Sequence, residues 1–160
     1  MMKIFNHKNM TSDEFMSQFH FKKFGKENRS SFSYWYNHWK AFNLVAIYYN
    51  AWKFKYLFHD IEKPWLRLFW PYEKVQAYHR AHSNHHVEYP AKKSSDYDWE
   101  AMVIDWECSP YTKVAAKWHA VDALPFEMDK LPQGSEFGQS LWLSKNITPV
   151  LYKFKLIKGE

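Results

Sequence analysis

Histidine and aspartate side chains are concentrated in the middle of this chain, in an order that suits metal binding. Nine of the 160 residues are histidine, and six of them fall between positions 38 and 86. Together with two aspartates they follow the order His38, His59-Asp60, His79, His82, His85-His86 and Asp105. Imidazole and carboxylate groups bind divalent first-row metals without the help of a thiolate. The order therefore predicts a metal site with the ligands His38, His59, Asp60, His79, His85, His86 and Asp105.

Taken singly, the histidines also have simpler interpretations. His38 alone could be a core histidine that is hydrogen-bonded to a backbone carbonyl. On one continuous helix, His79, His82 and His86 form a stripe that could be a solvated polar face. The ordered set favours metal binding over these simpler interpretations. The three remaining histidines lie outside the pattern and are predicted to be surface residues: His7, His20 and His119.

A shared metal requires these side chains to come from separate elements that face one centre. The chain has only 4 Gly but 7 Pro, which favours an all-α fold over many short strands. The aromatic, capping and proline patterns predict helices at about 12–24, 32–50, 52–61, 71–82, 97–108 and 111–122. On a helix, the adjacent side chains of His59 and Asp60 point about 100° apart. Both can then reach one metal only if that helix ends against the site.

The C-terminal part of the chain is predicted to differ from the rest. Residues 125–140 contain two Pro and two Gly and are expected to form an irregular arm over the core. Residues 151–157 alternate in part as a short β-strand does. The expected arrangement is one domain over residues 1–160, with a helical core at about 32–122 and a C-terminal arm at 125–160.

Composition excludes several other classes of protein. Aromatic residues make up 21% of the chain, which is more than a disordered protein carries. The most apolar stretch, residues 41–58, contains two Lys, and the N-terminus has no apolar core of signal-peptide length. A cytoplasmic protein with no membrane partner is therefore expected. The net charge of +5 is scattered, which argues against a nucleic-acid partner. The single cysteine, Cys108, is expected to be a buried structural thiol.

The ligand order resembles that of the HD superfamily of metal-dependent phosphohydrolases, which are all-helical proteins with a His … His-Asp … Asp signature. The resemblance assigns this signature to His38, His59, Asp60 and Asp105. It implies an HD-domain-like helical bundle.

A closer resemblance is to an uncharacterised family of small bacterial and phage proteins with HD-like motifs. That family carries a His-Asp-x-x-Lys segment, then a His, a His-His pair and a Met-x-x-Asp-Trp segment. This chain matches those motifs at residues 59–63, at His79, at His85-His86 and at residues 102–106. The match covers about residues 38–106.

The His-Asp-x-x-Lys segment and the His-His pair also look like the cyclic-dinucleotide phosphodiesterase branch of the superfamily. In that branch, extra histidines bind a second or third metal. Its Gly-Tyr-Pro signature is not matched here, because Tyr89-Pro90 follows Glu88. A dinuclear centre stays open on this comparison, whereas a cyclic-dinucleotide substrate is not implied.

The resemblance implies a phosphohydrolase that acts on a nucleotide or a related phosphorylated small molecule, with a metal-activated water as nucleophile. It implies one or two divalent ions of Mn, Fe, Co, Zn, Ni or Mg. Asp60 is expected to orient the nucleophile, Lys63 to contact a phosphate oxygen, and Glu62 is a candidate proton donor to the leaving group. Arg67 and Arg80 are further candidates for phosphate binding.

Two other functions use the same ligands. A set of four His and two Asp also suits an HD-like di-iron oxygenase that activates dioxygen. A non-catalytic phage or host interaction protein with a purely structural metal is the third alternative. A homo-oligomer is compatible with each of these functions.

Overall fold

Helices account for most of the chain that the structure describes. A computed structural model describes residues 9–29, 31–90, 93–116, 119–123 and 140–158. The α-helices include α1 (Ser12–Ser17), α2 (Phe32–Tyr48), α3 (Glu62–Leu66), α4 (Tyr72–His82), α5 (Trp99–Thr112) and α6 (Ser140–Lys153). Shorter 3₁₀ helices cover Lys26–Asn28, Phe54–Phe58 and Ser94–Asp96. The predicted all-α class is confirmed. Within the described ranges, no helix has the length and apolar composition needed to span a bilayer.

The helices α2 and α5 pack against each other at the centre of the molecule. α2 begins after Ser31, whose side-chain oxygen accepts a hydrogen bond from the Tyr34 N–H, as an N-cap does. Its buried hydrophobic face confirms the helix predicted at 32–50 and comprises Tyr34, Ala41, Phe42, Val45 and Ala46. α5 is buried at every position from 101 to 110. His38 and Asp105 therefore meet inside this packed interface.

The helices α1 and α6 flank the central pair, with α1 against α2 and α6 against α5. α1 begins with the predicted capping box. Thr11 accepts from the Glu14 N–H, and the Glu14 carboxylate accepts from the Thr11 N–H. Phe15 and Met16 are the buried residues of α1 and join the hydrophobic core.

The predicted first helix is too long at its C-terminal end. α1 ends at Ser17, and the chain is extended where Phe24 forms an isolated parallel bridge with Lys113. The Phe24 N–H donates to the Thr112 carbonyl at 2.9 Å, and the Val114 N–H donates to the Phe24 carbonyl at 3.1 Å. Because Phe24 is also buried, its tertiary pairing with the end of α5 outweighs helix propensity in this segment.

The predicted helix at 52–61 is wrong. Phe54–Phe58 is a 3₁₀ helix, after which the chain is extended at His59 and left-handed at Asp60. α3 follows, and Pro64 lies in its first turn, where a missing N–H removes no helical hydrogen bond.

Side chains of α2 donate hydrogen bonds to backbone carbonyls of the segment that precedes α3. The Trp35 Nε1–H donates to the His59 carbonyl at 3.0 Å, and the Trp39 Nε1–H donates to the Leu57 carbonyl at 3.0 Å. Asn43 Nδ2 donates in the same way to the carbonyl of residue 56 at 3.2 Å. These tertiary bonds hold the segment against α2 and fix the position of His59.

The helix predicted at 71–82 is confirmed as α4, which begins after Pro71 and ends at Ser83. The helix predicted at 97–108 corresponds to α5, which starts two residues later and ends four residues later. Its N-cap is Asp98, which accepts from the Ala101 N–H, and the preceding residues Ser94–Asp96 form a 3₁₀ turn.

The predicted break at Pro110 is wrong. α5 continues through Pro110 to Thr112, so the first residues of the helix expected at 111–122 belong to α5 instead. A proline this close to the C-terminus removes only one N–H from the last turn. The chain leaves the helix at Lys113, which is extended because it pairs with Phe24.

The predicted β element at 151–157 is also wrong, because α6 runs to Lys153. The buried side chains recur at i, i+3, i+4 and i+7, which is one face of a helix. They are Ile147, Val150, Leu151 and Phe154. The helix ends in a left-handed turn at Lys155, where the Leu156 N–H donates back to the Leu151 carbonyl. The predicted irregular arm at 125–140 lies outside the described residues, apart from its last position.

Candidate metal centre

A strained backbone turn brings two adjacent ligands to one centre. His59 is extended, with φ −57° and ψ 124°, and Asp60 has a left-handed φ of 58°. Few residues other than glycine adopt this conformation, and they keep it only where the surrounding structure holds it. The turn places His59 Nε2 3.5 Å from Asp60 Oδ1. The expectation that both residues sit at a helix end is therefore wrong, and the turn replaces it.

Four of the predicted ligands form one buried group, the inner cluster, which comprises His38, His59, Asp60 and Asp105. His38 Nε2 lies 2.9 Å from Asp105 Oδ1 and 3.4 Å from His59 Nε2. It also lies 3.7 Å from Asp60 Oδ2. His59 Nε2 lies 3.9 Å from Asp105 Oδ1. Residues from α2, α5 and the turn before α3 thus converge on one point.

The other three predicted ligands form the histidine cluster, which comprises His79, His85 and His86. His79 lies in the last turn of α4, and the turn that follows folds the chain back, with the His86 N–H donating to the Ser83 carbonyl at 3.0 Å. His79 Nε2 lies 2.8 Å from His86 Nε2. Asp60 Oδ1 lies 3.2 Å from His79 Nε2 and 3.4 Å from His85 Nε2, so it joins the two clusters.

The donor set fits divalent metal ions. Asp60 Oδ1 and His85 Nε2 are buried and have no hydrogen-bond partner among the described residues. A buried carboxylate oxygen without a donor is costly, so a cation would complete the site. Ligands bonded at about 2.1 Å to one ion lie roughly 3.0–4.2 Å apart. The donor separations of 2.8 to 3.9 Å fall in or close to that range. These buried groups could therefore hold a metal ion.

Side chains that contact Nδ1 orient two of the imidazole rings. Thr112 Oγ1 lies 3.3 Å from His38 Nδ1, and Glu62 Oε1 contacts His79 Nδ1. With Nδ1 engaged, each ring presents Nε2 to the centre, which is the usual arrangement around a metal-bound histidine. Sequence reasoning missed this role of Thr112, because its position depends on how α5 packs against α2.

Six of the seven candidate ligands have the protonation states that metal binding requires. Burial lowers the pKa of four histidines below the ordinary value, so their rings are neutral near pH 7: His38, His59, His79 and His86. Burial alone would raise the pKa of Asp60, but the neighbouring imidazoles and the Lys63 ammonium hold it well below its usual range. Burial of Asp105 is likewise outweighed by Lys113 and His38, which keep its pKa low. Neutral imidazoles and ionised carboxylates are the forms that bind metals.

Cys108 is buried behind the inner cluster, as expected. Its Sγ lies 3.3 Å from the Asp105 carbonyl and 3.7 Å from His38 Nδ1, close enough to His38 and Asp105 to be a third candidate ligand. Burial raises the pKa of this thiol well above its usual range, with Asp105 acting in the same direction. The thiol is therefore protonated at neutral pH.

The structure does not bring every candidate residue to the clusters. His82 is exposed, and its Nδ1 lies 2.7 Å from the Tyr78 carbonyl. Arg67 is exposed, donates to the Trp70 carbonyl at 2.9 Å and lines a separate surface depression. Arg80 pairs with Glu88 at 2.8 Å and does line a cavity next to the clusters.

The three histidines that were predicted to be surface residues differ in their surroundings. His20 is exposed, which confirms the prediction for that residue. His7 lies outside the described residues. His119 is half-buried, and its Nδ1 lies 3.1 Å from an oxygen of the buried Glu107. His119 Nδ1 has no hydrogen-bond partner among the described residues, so this contact is an electrostatic pair. The prediction of an ordinary surface residue is wrong for His119.

Two cavities reach the clusters. A cleft of about 390 Å³ is lined by His59, Asp60 and His85, with Phe58 and Tyr89 at its sides. A smaller cavity of about 70 Å³ adjoins His86 and Asp105, and its basic lining residues are Arg29, Lys63, Arg80 and Lys113. Sequence reasoning missed Arg29 and Lys113, because both lie outside the span of the matched motifs and nothing in their local sequence marks them.

Comparison with known proteins identifies no relative of this chain. No protein-family model matches it, and neither a curated protein nor a solved structure does. The HD resemblance therefore stays a prediction from the motifs, and an assignment of function depends on the site itself.

Proposed function

We propose that this chain binds one or two divalent transition-metal ions and hydrolyses a phosphate ester of a nucleotide or a related phosphorylated small molecule. The observation that carries the proposal is the environment of Asp60 Oδ1. This buried oxygen has no donor among the described residues and lies within 3.5 Å of three imidazole nitrogens. Such an atom between two groups of histidines suits a shared metal ligand better than a hydrogen-bonded core residue.

The inner cluster would hold one ion, and the histidine cluster together with Asp60 Oδ1 would hold a second. When bound, such an ion stabilises negative charge on phosphoryl oxygens and makes water a competent nucleophile near neutral pH. Each group offers at most four protein ligands. Since several of the candidate ions prefer six ligands, this number favours a site that keeps positions for water and substrate.

The residues around the clusters have distinct roles in this proposal. Asp60 orients the nucleophile, because its carboxylate lies between the two ligand groups. The Lys63 ammonium contacts Asp60 Oδ2 and also lines the small basic cavity, so it can donate to a phosphoryl oxygen of a bound substrate. Glu62 is a candidate proton donor on the sequence, but its contact with His79 Nδ1 supports a positioning role for that ligand.

Elemental analysis of the purified protein, followed by a substrate screen, tests the proposal. The protein is stripped with a chelator, reloaded separately with Mn²⁺, Co²⁺, Zn²⁺, Ni²⁺, Fe²⁺ or Mg²⁺, and assayed for phosphate release from nucleotides and sugar phosphates. We expect release that depends on the ion and is lost in Asp60→Asn. A folded, metal-loaded protein that releases no phosphate from any of these compounds would contradict the proposal.

A di-iron oxygenase is the second candidate, and one observation favours it. Asp60 lies between the two clusters, where a carboxylate that bridges two irons would lie. Iron in the purified protein together with oxygen-dependent turnover would favour this candidate over the hydrolase. The structural-metal alternative predicts instead that chelation unfolds the protein and that no substrate is consumed.

A further inference from the structure

A small basic cavity adjoins the candidate metal centre on the side of His86 and Asp105. It is partly enclosed and has a volume of about 70 Å³. Since roughly 10–15 Å³ of such space holds one water molecule, the cavity has room for about five water-sized groups. This matches one phosphoryl group and is too small for a nucleoside.

The side chains that line this cavity carry more positive than negative charge. Its charged lining residues outside the histidines are four cations and one carboxylate: Arg29, Lys63, Arg80, Lys113 and Asp105. The carboxylate is already engaged, because Asp105 Oδ1 lies 2.9 Å from His38 Nε2. Two of the cations also have acidic partners, Asp60 for Lys63 and Glu88 for Arg80.

The other two cations have no close ion pair, although Lys113 acts on the carboxylate of Asp105 at longer range. Across the described part of the chain, neither Arg29 nor Lys113 has a carboxylate within ion-pairing distance, and Arg29 Nε is buried without a hydrogen-bond partner. The ammonium of Lys113 donates to the neutral hydroxyl of Ser109 at 2.7 Å. A guanidinium nitrogen that is buried and unpartnered, in a cavity lined by a second cation without a close ion pair, indicates a place for an anion.

Tertiary structure brings these cations together from four segments. Lys63 belongs to α3 and Arg80 to α4, whereas Arg29 follows the 3₁₀ helix Lys26–Asn28 and Lys113 follows α5. The bridge between Phe24 and Lys113 ties the last two segments to each other. The convergence is therefore a property of the fold and not of a basic run in the sequence.

We propose that this cavity, and Arg29 and Lys113 in particular, binds the terminal dianionic phosphoryl group of the substrate, so that the substrate class is a phosphate monoester. Hydrolysis of a monoester depends on the proposed function. Binding of an anion in the cavity does not. A monoester phosphoryl group carries about two charges above pH 6 and has a single substituent. A diester carries one charge and two substituents, which a partly enclosed cavity of this size excludes.

Binding of inorganic phosphate tests the cavity directly. Titration calorimetry at pH 8 is run on the metal-free and the metal-loaded protein, for the wild type, Arg29→Met and Lys113→Met. The control is Lys74→Met, which removes an exposed cation that lies on α4 over the Trp70 ring. Losing a charge-assisted hydrogen bond should weaken phosphate binding by about ten- to a hundredfold in the first two variants. Lys74→Met should bind phosphate as the wild type does.

A second measurement compares p-nitrophenyl phosphate with bis(p-nitrophenyl) phosphate. We expect the monoester to be the better substrate and Arg29→Met to lower kcat/KM for the monoester by at least about tenfold. Unchanged phosphate affinity in Arg29→Met and Lys113→Met, or faster cleavage of the diester, would overturn the inference while leaving hydrolysis intact. Phosphate binding that depends on both cations in a protein that cleaves neither ester would support the cavity and reject the proposed reaction.

Discussion

The substitution Asp60→Asn tests the carboxylate that joins the two ligand groups. Asparagine is nearly isosteric with aspartate and tolerates the left-handed backbone at φ 58°, so the turn itself should be kept. The substitution removes the negative charge and replaces an oxygen that lies 3.2 to 3.5 Å from three imidazole nitrogens. Both ligand groups should therefore lose metal affinity at once.

The size of the effect follows from linkage between metal binding and folding. An ion present at 100 times its Kd stabilises the folded protein by about 2.7 kcal/mol, which raises the Tm of a chain of this length by roughly 5–11 °C. Losing a residue that only orients a metal ligand weakens affinity by about 10- to 100-fold. A hundredfold loss would leave about 0.4 kcal/mol of stabilisation and a Tm rise of about 1–2 °C.

Scanning calorimetry with and without the ion measures both values. Asp60→Asn also leaves the buried Lys63 ammonium without its carboxylate and should lower the Tm of the metal-free protein. The quantity to compare is therefore the metal-induced change within each protein. Asp122→Asn is the matched control, since Asp122 is exposed and away from the clusters. If Asp60→Asn keeps the full metal-induced rise, or if no transition metal raises the Tm of the wild type, the assignment of the ligands is refuted.

Three further predictions concern other parts of the molecule. Glu62→Gln removes the carboxylate behind His79 and should weaken metal binding by about 10- to 100-fold in a competition titration; unchanged affinity would contradict the positioning role. Contact with Glu107, although opposed by burial, raises the pKa of His119 above its usual 6.5. The pair therefore stabilises the fold below that pH and loses this contribution as the pH rises through the raised pKa, so His119→Gln should lower Tm at pH 6 and not at pH 9. Phe154→Ala should cost about 3–5 kcal/mol in urea unfolding because the ring is buried in the core, whereas a small change would contradict a packed C-terminal helix.

The candidate ligands were predictable from the sequence because ligand chemistry is a local property of each residue. An imidazole or carboxylate can bind a metal wherever the chain places it. The order of His38, His59-Asp60 and Asp105 indicated a metal site, and the resemblance to HD-like motifs added His79, His85 and His86. The structure brings all seven predicted ligands into two adjoining clusters. The helical periodicity that predicted α2 is local in the same sense, since it depends on which residues recur at three- and four-residue steps.

Elements whose conformation depends on distant partners were not predictable in this way. The segment before α3 is held against α2 by indole groups that donate to its carbonyls, and the end of α1 is set by the bridge from Phe24 to Lys113. The C-terminal residues alternate in hydrophobicity over a short window, yet they form a helix because Leu151 and Phe154 pack into the core. A short window contains none of these long-range contacts.

The chemistry of the site is thus encoded residue by residue, whereas its geometry is a tertiary property. The sequence by itself determined which side chains can bind a metal and that helices carry most of the fold. Only the tertiary structure decided that Asp60 adopts a left-handed turn and that its Oδ1 is left without a donor among the described residues. It also decided that Arg29 and Lys113 meet beside the clusters. Backbone strain and convergent charge both require packing around a residue to hold them, and that packing comes from segments far apart in the chain.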